Sequence, residues 1–479
     1  MRRMSGLDAM FLYNETSTQH MHTLKVAILE PEDPATYAFE RERRKLAEGL
    51  GRLPPFRWRV VPTPFHLNHP LWIEDPELDL DLHVKRAALP APGGREELAD
   101  FISEVASTPL SRDRPMWKLW LVEGLADGRV ATVAKIHHSL ADGHASAELL
   151  TRFAGTRPGE IPESDGGAGD PWRPEAVPSK GWLLWRGFVD LLAFLADGVP
   201  RYARAFAAAR RRKAARLREG APRSPAPFSG PDTLFNSVLS SHRRFAYTTL
   251  GLPDAKLVRR AFGGTLNDVI LAVASGALRR YLAERDQLPE QPLIAWIPMD
   301  TRAPEDEGGF GNHSAVMYQN LCTHIEDPVQ RLLAIQECSA VSKRDFADTA
   351  GARQSDFFKF VPPVVSALLM SRVSTFLKKR GQPSQANLII SNVKGPTTHL
   401  FSDRTPLQAL YSIGPVLEGV GLNLTAWSYR DQLNFSLLSD RKMLPDLWPL
   451  ADGLRESLAE LTKLATERAA TTEAPGVSP

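Results

Sequence analysis

Ile136-His137-His138-Ser139-Leu140-Ala141-Asp142-Gly143-His144 is the stretch on which the reading of this chain turns. The residues before it, Val130 to Ile136, form an apolar run rich in β-branched side chains and read as a strand. Trp117 to Val122 is a second such run, and Asp127-Gly128 between the two is a hairpin-type turn. The residues after it, His144 to Phe153, read as a helix. The stretch therefore lies at a strand-to-helix junction, where rigid elements hold side chains and the loop exposes them. Neighbours along a strand point to opposite faces, so His137 and His138 serve different surroundings. Spacing alone leaves open which of them faces a substrate.

Histidine at such a junction is a candidate general base. A neutral imidazole, with an ordinary pKa near ~6.5, can take the proton of a poorly acidic hydroxyl as that oxygen attacks. Asp142 can orient the loop, pair with a distant arginine, or simply cap the helix that follows. Gly143 lets backbone or substrate approach closely. A metal site is a further reading, because His138, Asp142 and His144 are ligand types, but no second ligand cluster of recognised spacing accompanies them. Ser139 lacks the Gly-x-Ser-x-Gly elbow of a nucleophile. A histidine near a strand end is also commonly structural.

The rest of the chain bounds the options. Its 479 residues suggest two domains, and 43% hydrophobic with 24% charged residues is ordinary globular composition. A net charge of +2 argues against a nucleic-acid binder. Cys322 and Cys338 are the two cysteines, and neither sits in a CxxC or Cys/His cluster, which fits a reducing, cytoplasmic compartment. No apolar stretch of signal-peptide length follows Met1-Arg2-Arg3-Met4, and no run of about 18 apolar residues suggests a spanning helix.

Two Pro/Gly-rich stretches, Arg157 to Lys180 and Gly220 to Pro227, read as linkers. They divide the chain into a first half (1–156), a linker (157–230), a second half (231–465) and a frayed tail (466–479). In the second half Asn267 to Leu282 reads as a helix. Leu293 to Ile297, Leu388 to Ile390 and Leu433 to Leu438 read as strands. The expected picture is two α/β domains, of the α+β type, with mostly local strand pairing. Within the linker, Phe188, Leu191, Leu192, Leu195, Val199, Tyr202 and Phe206 fall at helical spacing on one face, and Gly198-Val199-Pro200 should break or kink the helix. Arg201, Arg204, Arg210, Arg211, Arg212, Lys213, Arg216 and Arg218 follow as a basic run. Such an element suits a peripheral position on an anionic membrane or lipid-droplet surface. It equally suits a helix docked between two domains with a solvated charged face.

His-His-x-x-x-Asp-Gly, at His137 to Gly143, resembles the signature of the CoA-dependent acyltransferase superfamily, which includes chloramphenicol acetyltransferase-like folds and condensation domains. Over nearly its full length the chain resembles one branch, the bacterial wax ester synthase/acyl-CoA:diacylglycerol acyltransferases. Met4 to Leu12, with Met21-His22 following, looks like that family's opening. Pro115-Met116-Trp117 resembles its Pro-Leu-Trp motif, with Met in the middle position, and Asn267-Asp268 its Asn-Asp motif. Ser391 to Pro396 resembles its Ser-Asn-Val-x-Gly-Pro segment, and Pro415 to Asn423 a late stretch.

The resemblance implies two chloramphenicol acetyltransferase-like domains joined by a helical linker, with the active site in a tunnel between them. It implies transfer of a long-chain acyl group from acyl-CoA to diacylglycerol or a long-chain alcohol. Acyl-CoA is then a substrate, with no cofactor, no metal, no nucleic acid and no particular oligomeric state implied. It assigns the base to His138 and makes His137 and Asp142 mainly structural, Asp142 turning to an arginine of the second half. Arg302, just after the strand Leu293 to Pro298, is the candidate partner. Asn267 either caps its helix or lies near the catalytic channel. Pro115 and Trp117 either set a corner or touch substrate. Gly419 and Gly421 are either tight-packing positions near the acyl path or strand irregularities. The competing readings are a condensation-type enzyme acting on carrier-bound thioesters and a non-catalytic lipid-surface protein.

Overall fold

Alternation along residues 130–137 organises the first sheet. The computed structural model describes residues 1–32, 39–141, 154–160, 173–218, 220, 222–302, 311–349, 364–365, 368 and 385–473. In it β2 (His22–Leu29), β5 (Val84–Ala88), β6 (Trp117–Glu123), β7 (Val130–His137), β12 (Phe401–Ser402) and β13 (Thr405–Ile413) form a six-stranded sheet in the order β12-β13-β2-β7-β6-β5. The β6–β7 hairpin forms as the sequence suggests, with Gly128 at a φ of 74° in its turn. Leu24, Val26, Ala131 and Val133 lie on one face and pack against Leu98, Ala99, Ile102 and Val105 of a helix at Arg95–Ser107. Each fully buried Leu, Val or Ile among these stabilises the fold by about 1.5–3 kcal/mol.

The second sheet has the order β10-β9-β11-β14-β15-β8, from β8 (Arg243–Gly251), β9 (Ile294–Asp300), β10 (Ser314–Asn320), β11 (Leu388–Val393), β14 (Leu422–Tyr429) and β15 (Gln432–Asp440). The helices Leu252–Phe262, Leu266–Ala283, Pro328–Asp348 and Trp448–Glu473 surround its core. A small sheet of β1 (Arg2–Arg3), β3 (Trp58–Val61) and β4 (Leu71–Glu74) flanks the first half.

The expectation of mostly local pairing is corrected. Hairpins account for β6–β7, β9–β10 and β14–β15, but β8 pairs with β15 and β13 pairs with β2, each across most of a domain or more of sequence. Through β13 the late part of the chain completes the sheet that carries the histidines. Period-2 alternation tells which face of a strand is buried, but carries no information on which edge it joins.

In the linker a helix at Lys180–Ala193 and another at Val199–Arg218 are joined by a wide π-type turn at Phe194–Gly198. The expected break thus lies just ahead of Pro200, which sits in the first turn of the second helix where no backbone N–H is needed. The first helix is held to the body of the protein by buried Leu183 and by Gly187, which packs against Thr63 and Leu67. Asp190 adds an ion pair to Arg3 at 3.0 Å and accepts from Asn68 Nδ2 at 2.8 Å. Of the apolar stripe, Phe188, Leu192, Leu195, Val199 and Phe206 are exposed and Leu191 and Tyr202 half-buried; Trp182 and Trp185 are exposed with them.

No single helix among the described residues is long and apolar enough to cross a membrane. One bent pair, Leu252–Phe262 with Leu266–Ala283, meets the length and composition together, but it turns through 104° and packs into the second core. Cys322 and Cys338 are free thiols with their sulfurs 3.9 Å apart. The expected helix from His144 to Phe153 lies outside the described residues.

Candidate active site

His138 sits where β7 ends. Its N–H donates to Met21 O at 2.8 Å, which continues the β2–β7 pairing by one rung. Its half-buried ring stacks on Phe11, with centroids 4.1 Å apart and planes 14° apart. Phe11 belongs to a helix at Gly6–Asn14, whose first turn is capped by Ser5 Oγ accepting from Asp8 N–H at 3.1 Å.

The second half reaches this ring through Asn312. His138 Nδ1 lies 3.0 Å from Asn312 Oδ1. Asn312 Nδ2 donates to His138 O at 2.8 Å and to Asp8 Oδ1 at 2.7 Å, while the Asn312 backbone N–H donates to Asp8 Oδ1 at 2.9 Å. The amide nitrogen therefore has two acceptors, and the amide oxygen is the atom turned to the imidazole. Oδ1 can only accept, so Nδ1 carries the proton and the ring's lone pair is on Nε2. Burial pushes the Asp8 carboxyl above its usual range, against the donors Ser5 and Asn312, which favour the carboxylate. A parallel bridge from Ala141 to Gly311, at a φ of 115°, holds the two halves together beside this network.

His137 points the other way, as strand alternation requires, and is fully buried. Its Nδ1 accepts from Ser139 N–H at 3.1 Å and lies 2.7 Å from Ser139 Oγ, while its Nε2 is 3.4 Å from Glu15 Oε1. Ser139 is thus a buried partner of His137. Burial lowers the His137 pKa, more than Glu15 raises it, so the ring stays neutral at pH 7. Burial also pushes Glu15 up, but His137 and Arg112 outweigh it and hold the carboxylate at about 2. Arg112 contributes a permanent charge, its Nε and Nη2 donating to Glu15 Oε2 at 3.0 and 2.6 Å.

Asp142 and Gly143, with His144, lie outside the described residues. Arg302 is buried at its guanidinium, where Nη2 donates to Gly311 O at 3.3 Å and Nη1 lies 3.8 Å from Asp300 Oδ2. Among the described residues no group of three or more His, Cys, Asp or Glu could hold a metal ion.

Trp117 is buried at the turn into β6. Its Nε1 donates to Phe56 O at 2.7 Å, and its ring is stacked between Phe56 and His83 at 4.7 and 4.4 Å. Pro115 O accepts from Trp117 N–H at 2.9 Å, closing the turn into β6. One edge of the Trp117 ring also borders an apolar cavity. Asn267 is not the cap of its helix, which is corrected to Thr265: Thr265 Oγ1 accepts from Asp268 N–H, and Asp268 Oδ2 accepts from Thr265 N–H at 2.8 Å. Thr265 caps the helix two residues earlier, leaving Asn267 in the first turn to accept from Asn392 Nδ2 at 3.4 Å. Two separate sequence motifs thereby meet. Gly419 takes a φ of 75° in the turn between Leu417 and Val420, and its carbonyl accepts from Asn236 Nδ2 at 2.7 Å. Gly421 is a tight-packing position, because a Cβ there would lie 2.3 Å from Met443 Sδ and 3.0 Å from Phe235 O.

Sequence reasoning missed Asp8, Phe11, Glu15 and Asn312. Asp8 and Phe11 stand inside the opening motif but read as ordinary first-turn and apolar helix residues. Asn312 stands in Gly311-Asn312-His313 and has no local pattern that points to a histidine 174 positions earlier.

Two sheets joined across a histidine at the end of a central strand define a condensation-type acyltransferase fold. The first condensation domain of the calcium-dependent antibiotic synthetase matches it with a TM-score of 0.57 over 100% of both chains, at 14% identity, which shows the fold alone. Residues 4–270 match the wax ester synthase/diacylglycerol acyltransferase catalytic domain, and residues 310–462 match the WS/DGAT C-terminal domain. The chain belongs to the wax ester synthase/diacylglycerol acyltransferase family. A Mycobacterium tuberculosis H37Rv protein assigned by name as a diacylglycerol O-acyltransferase is 36% identical over 473 residues, 98% of each chain. A second from the same strain, assigned likewise, is 38% identical over 470 residues, 97% of each chain. The wax ester synthase/diacylglycerol acyltransferase of Marinobacter aquaeolei VT8 is 27% identical with a TM-score of 0.68, covering 97% of this chain and 100% of that one. The protein is therefore an acyltransferase of the type that draws on acyl-CoA.

Proposed function

We propose that this chain moves a long-chain fatty acyl group from acyl-CoA to the hydroxyl of diacylglycerol or of a long-chain alcohol, with His138 as the general base. The observation that carries the assignment is the Asn312 amide, whose oxygen faces Nδ1 and leaves the lone pair on Nε2. In this scheme Nε2 takes the hydroxyl proton as the alcohol oxygen attacks the thioester carbonyl. The ester C–O bond forms, the C–S bond breaks, and the proton passes to the departing CoA thiolate. The scheme calls for no covalent acyl-enzyme, metal or resident cofactor. Asp142 braces the loop against Arg302, a role supported by the buried guanidinium beside Gly311, which bridges Ala141. Diacylglycerol takes first place among acceptors because the mycobacterial relatives carry that name.

The same reading puts the protein at the cytoplasmic face of a membrane or lipid body, where its lipid acceptor and product reside. Trp182, Phe188, Leu192 and Leu195 are exposed beside the basic run, and Trp185 is 68% exposed. An aromatic and aliphatic face next to Arg201, Arg204 and Arg210 to Lys213 has the chemistry of an interfacial helix on anionic lipid.

The test is purified protein with palmitoyl-CoA and either hexadecanol or dioleoylglycerol, following free thiol and lipid product. Thiol release that requires acceptor and matches ester formed is the expected result, and a strong chelator should not abolish it. Equal thiol release without acceptor would make the protein a thioesterase. Transfer only from carrier-bound thioesters would favour a condensation-type enzyme, and no transfer at all a non-catalytic lipid-surface protein.

A further inference from the structure

Cys322 and Cys338 stand sixteen positions apart in the chain, and their sulfurs lie 3.9 Å apart. The fold brings them together from two elements of the second half. Cys322 follows β10 in the turn that leads to the helix Pro328–Asp348, and Cys338 lies within that helix.

The turn fixes Cys322. Its φ is 52°, in the left-handed region that is costly for a residue with a Cβ. Hydrogen bonds hold it there on both sides. Cys322 N–H donates to Asn320 Oδ1 at 2.7 Å, and Ile325 N–H donates to Cys322 O at 3.0 Å. Leu321 N–H donates to Leu293 O at 3.0 Å, which ties the turn to the residue before β9. The preceding strand and this turn thus present the Cys322 thiol to the helix.

The two thiols are unequal. Cys322 is buried, whereas Cys338 is half-buried and lines a cavity of about 500 Å³. Glu337, Cys338 and Val341 form the helix side of that cavity, and Arg223 and Ser224 of the linker face them. A small molecule in the cavity therefore meets Cys338 first, with Cys322 behind it. Ionisation follows the same division. When Cys338 ionises, Cys322 S–H donates to its thiolate, which pushes the Cys338 thiol below its usual value against the effect of burial. The same contact, and then burial, pushes Cys322 up.

We propose that Cys322 and Cys338 form a reversible thiol–disulfide site, in which Cys338 attacks a low-molecular-weight disulfide and Cys322 resolves the product. In the first step the Cys338 thiolate bonds to one sulfur of the disulfide RSSR. The S–S bond breaks, and the departing RS⁻ takes up the proton that Cys338 gave up. In the second step Cys322 Sγ attacks Cys338 Sγ, the second RS⁻ leaves, and the proton of Cys322 passes to it. Two protein thiols are oxidised to one disulfide, and RSSR is reduced to two RSH. The sulfurs close from 3.9 Å to a bond of about 2.05 Å. In a reducing compartment such a pair cycles rather than staying closed. The bond joins the end of β10 to the helix that anchors the linker, where Asp345 Oδ2 accepts from Ser224 N–H at 2.7 Å and Asp345 pairs with Arg216. The reaction uses no residue of the acyl-transfer site.

The test treats folded, full-length protein with hydroxyethyl disulfide near neutral pH. Remaining thiols are then alkylated, and the protein is digested without reductant and mapped by mass spectrometry. Expected is a peptide pair linked through Cys322 and Cys338, with the intact chain lighter by two hydrogen atoms and both changes reversed by dithiothreitol. Cys322→Ser should stop at the mixed disulfide on Cys338, at least about tenfold more abundant than in wild type, where Cys322 removes it. Cys338→Ser should leave Cys322 as an unreacted thiol. The wild-type map decides the matter should either serine variant fail to fold. Recovery of both cysteines as alkylated thiols from treated wild type overturns the proposal. So does a lasting adduct on Cys338 with no internal link, or a link that forms only between chains or only in denaturant.

Discussion

Asn312 Oδ1 and His138 Nδ1 lie 3.0 Å apart across the junction of the two halves, so the candidate base is oriented by a residue of the opposite half. Removing that amide frees the imidazole to adopt either tautomer. Asn312→Ala should lower turnover by on the order of 10–10² with the circular dichroism spectrum retained. The pH–rate profile should move with it, which a purely structural residue would not cause. An unchanged rate and profile would show that His138 does not depend on this bond.

Asp8 accepts two hydrogen bonds from Asn312 on one oxygen and one from Ser5 Oγ on the other. Asp8→Ala leaves those donors buried without an acceptor and should cost about 1–3 kcal/mol in denaturant unfolding. Asp8→Asn keeps an acceptor for Asn312 and should lose clearly less. Equal losses for the two would show that packing, rather than the hydrogen bonds, sets the effect.

Glu15 makes stability depend on acid. Its folded pKa, about 2, is below the usual glutamate value of 4.5. The folded state therefore binds fewer protons than the unfolded one between those values. The resulting stabilisation is fully present above about pH 4.5 and is lost as pH falls through about 2. Its size at neutral pH is on the order of 1–3 kcal/mol. Glu15→Gln should remove this acid dependence, giving an unfolding free energy that falls less steeply from pH 5 to pH 3 than that of wild type. Parallel curves would contradict the assignment.

Gly395 and Gly181 form a contrast. A Cβ on Gly395 would sit 2.0 Å from the backbone oxygen of Ser428, whereas one on Gly181 meets nothing within 4 Å. Gly395→Ala should destabilise by about 2 kcal/mol or more, while Gly181→Ala, in a helix, should be neutral or slightly stabilising. Thermal unfolding of the two variants decides the point.

Much of the local structure was legible in the sequence. The β6–β7 hairpin, the helix through Asn267 and the opposed directions of His137 and His138 follow from periodicity and turn residues. The family follows from several short motifs in order. What was not legible depends on contacts between distant segments. Nothing near Asn312 or Asp8 marks them as partners of His138, because a hydrogen bond between halves leaves no periodic trace. The addition of β13 to β2 is hidden for the same reason. Asn267 looked like a helix cap because Asn is a good one, yet Thr265 and Asp268 form a reciprocal box two residues earlier and outcompete it. In the linker, only packing shows that Trp182, Trp185 and Phe188 are left to solvent while Leu183 and Gly187 hold the helix down.

The most direct test of the central claim is turnover of His138→Ala with palmitoyl-CoA and a lipid alcohol, alongside a measurement of folding. Loss of ester formation by at least about 10² in a protein that keeps its unfolding transition is the predicted result. Near-normal ester formation in the folded variant would contradict His138 as the base.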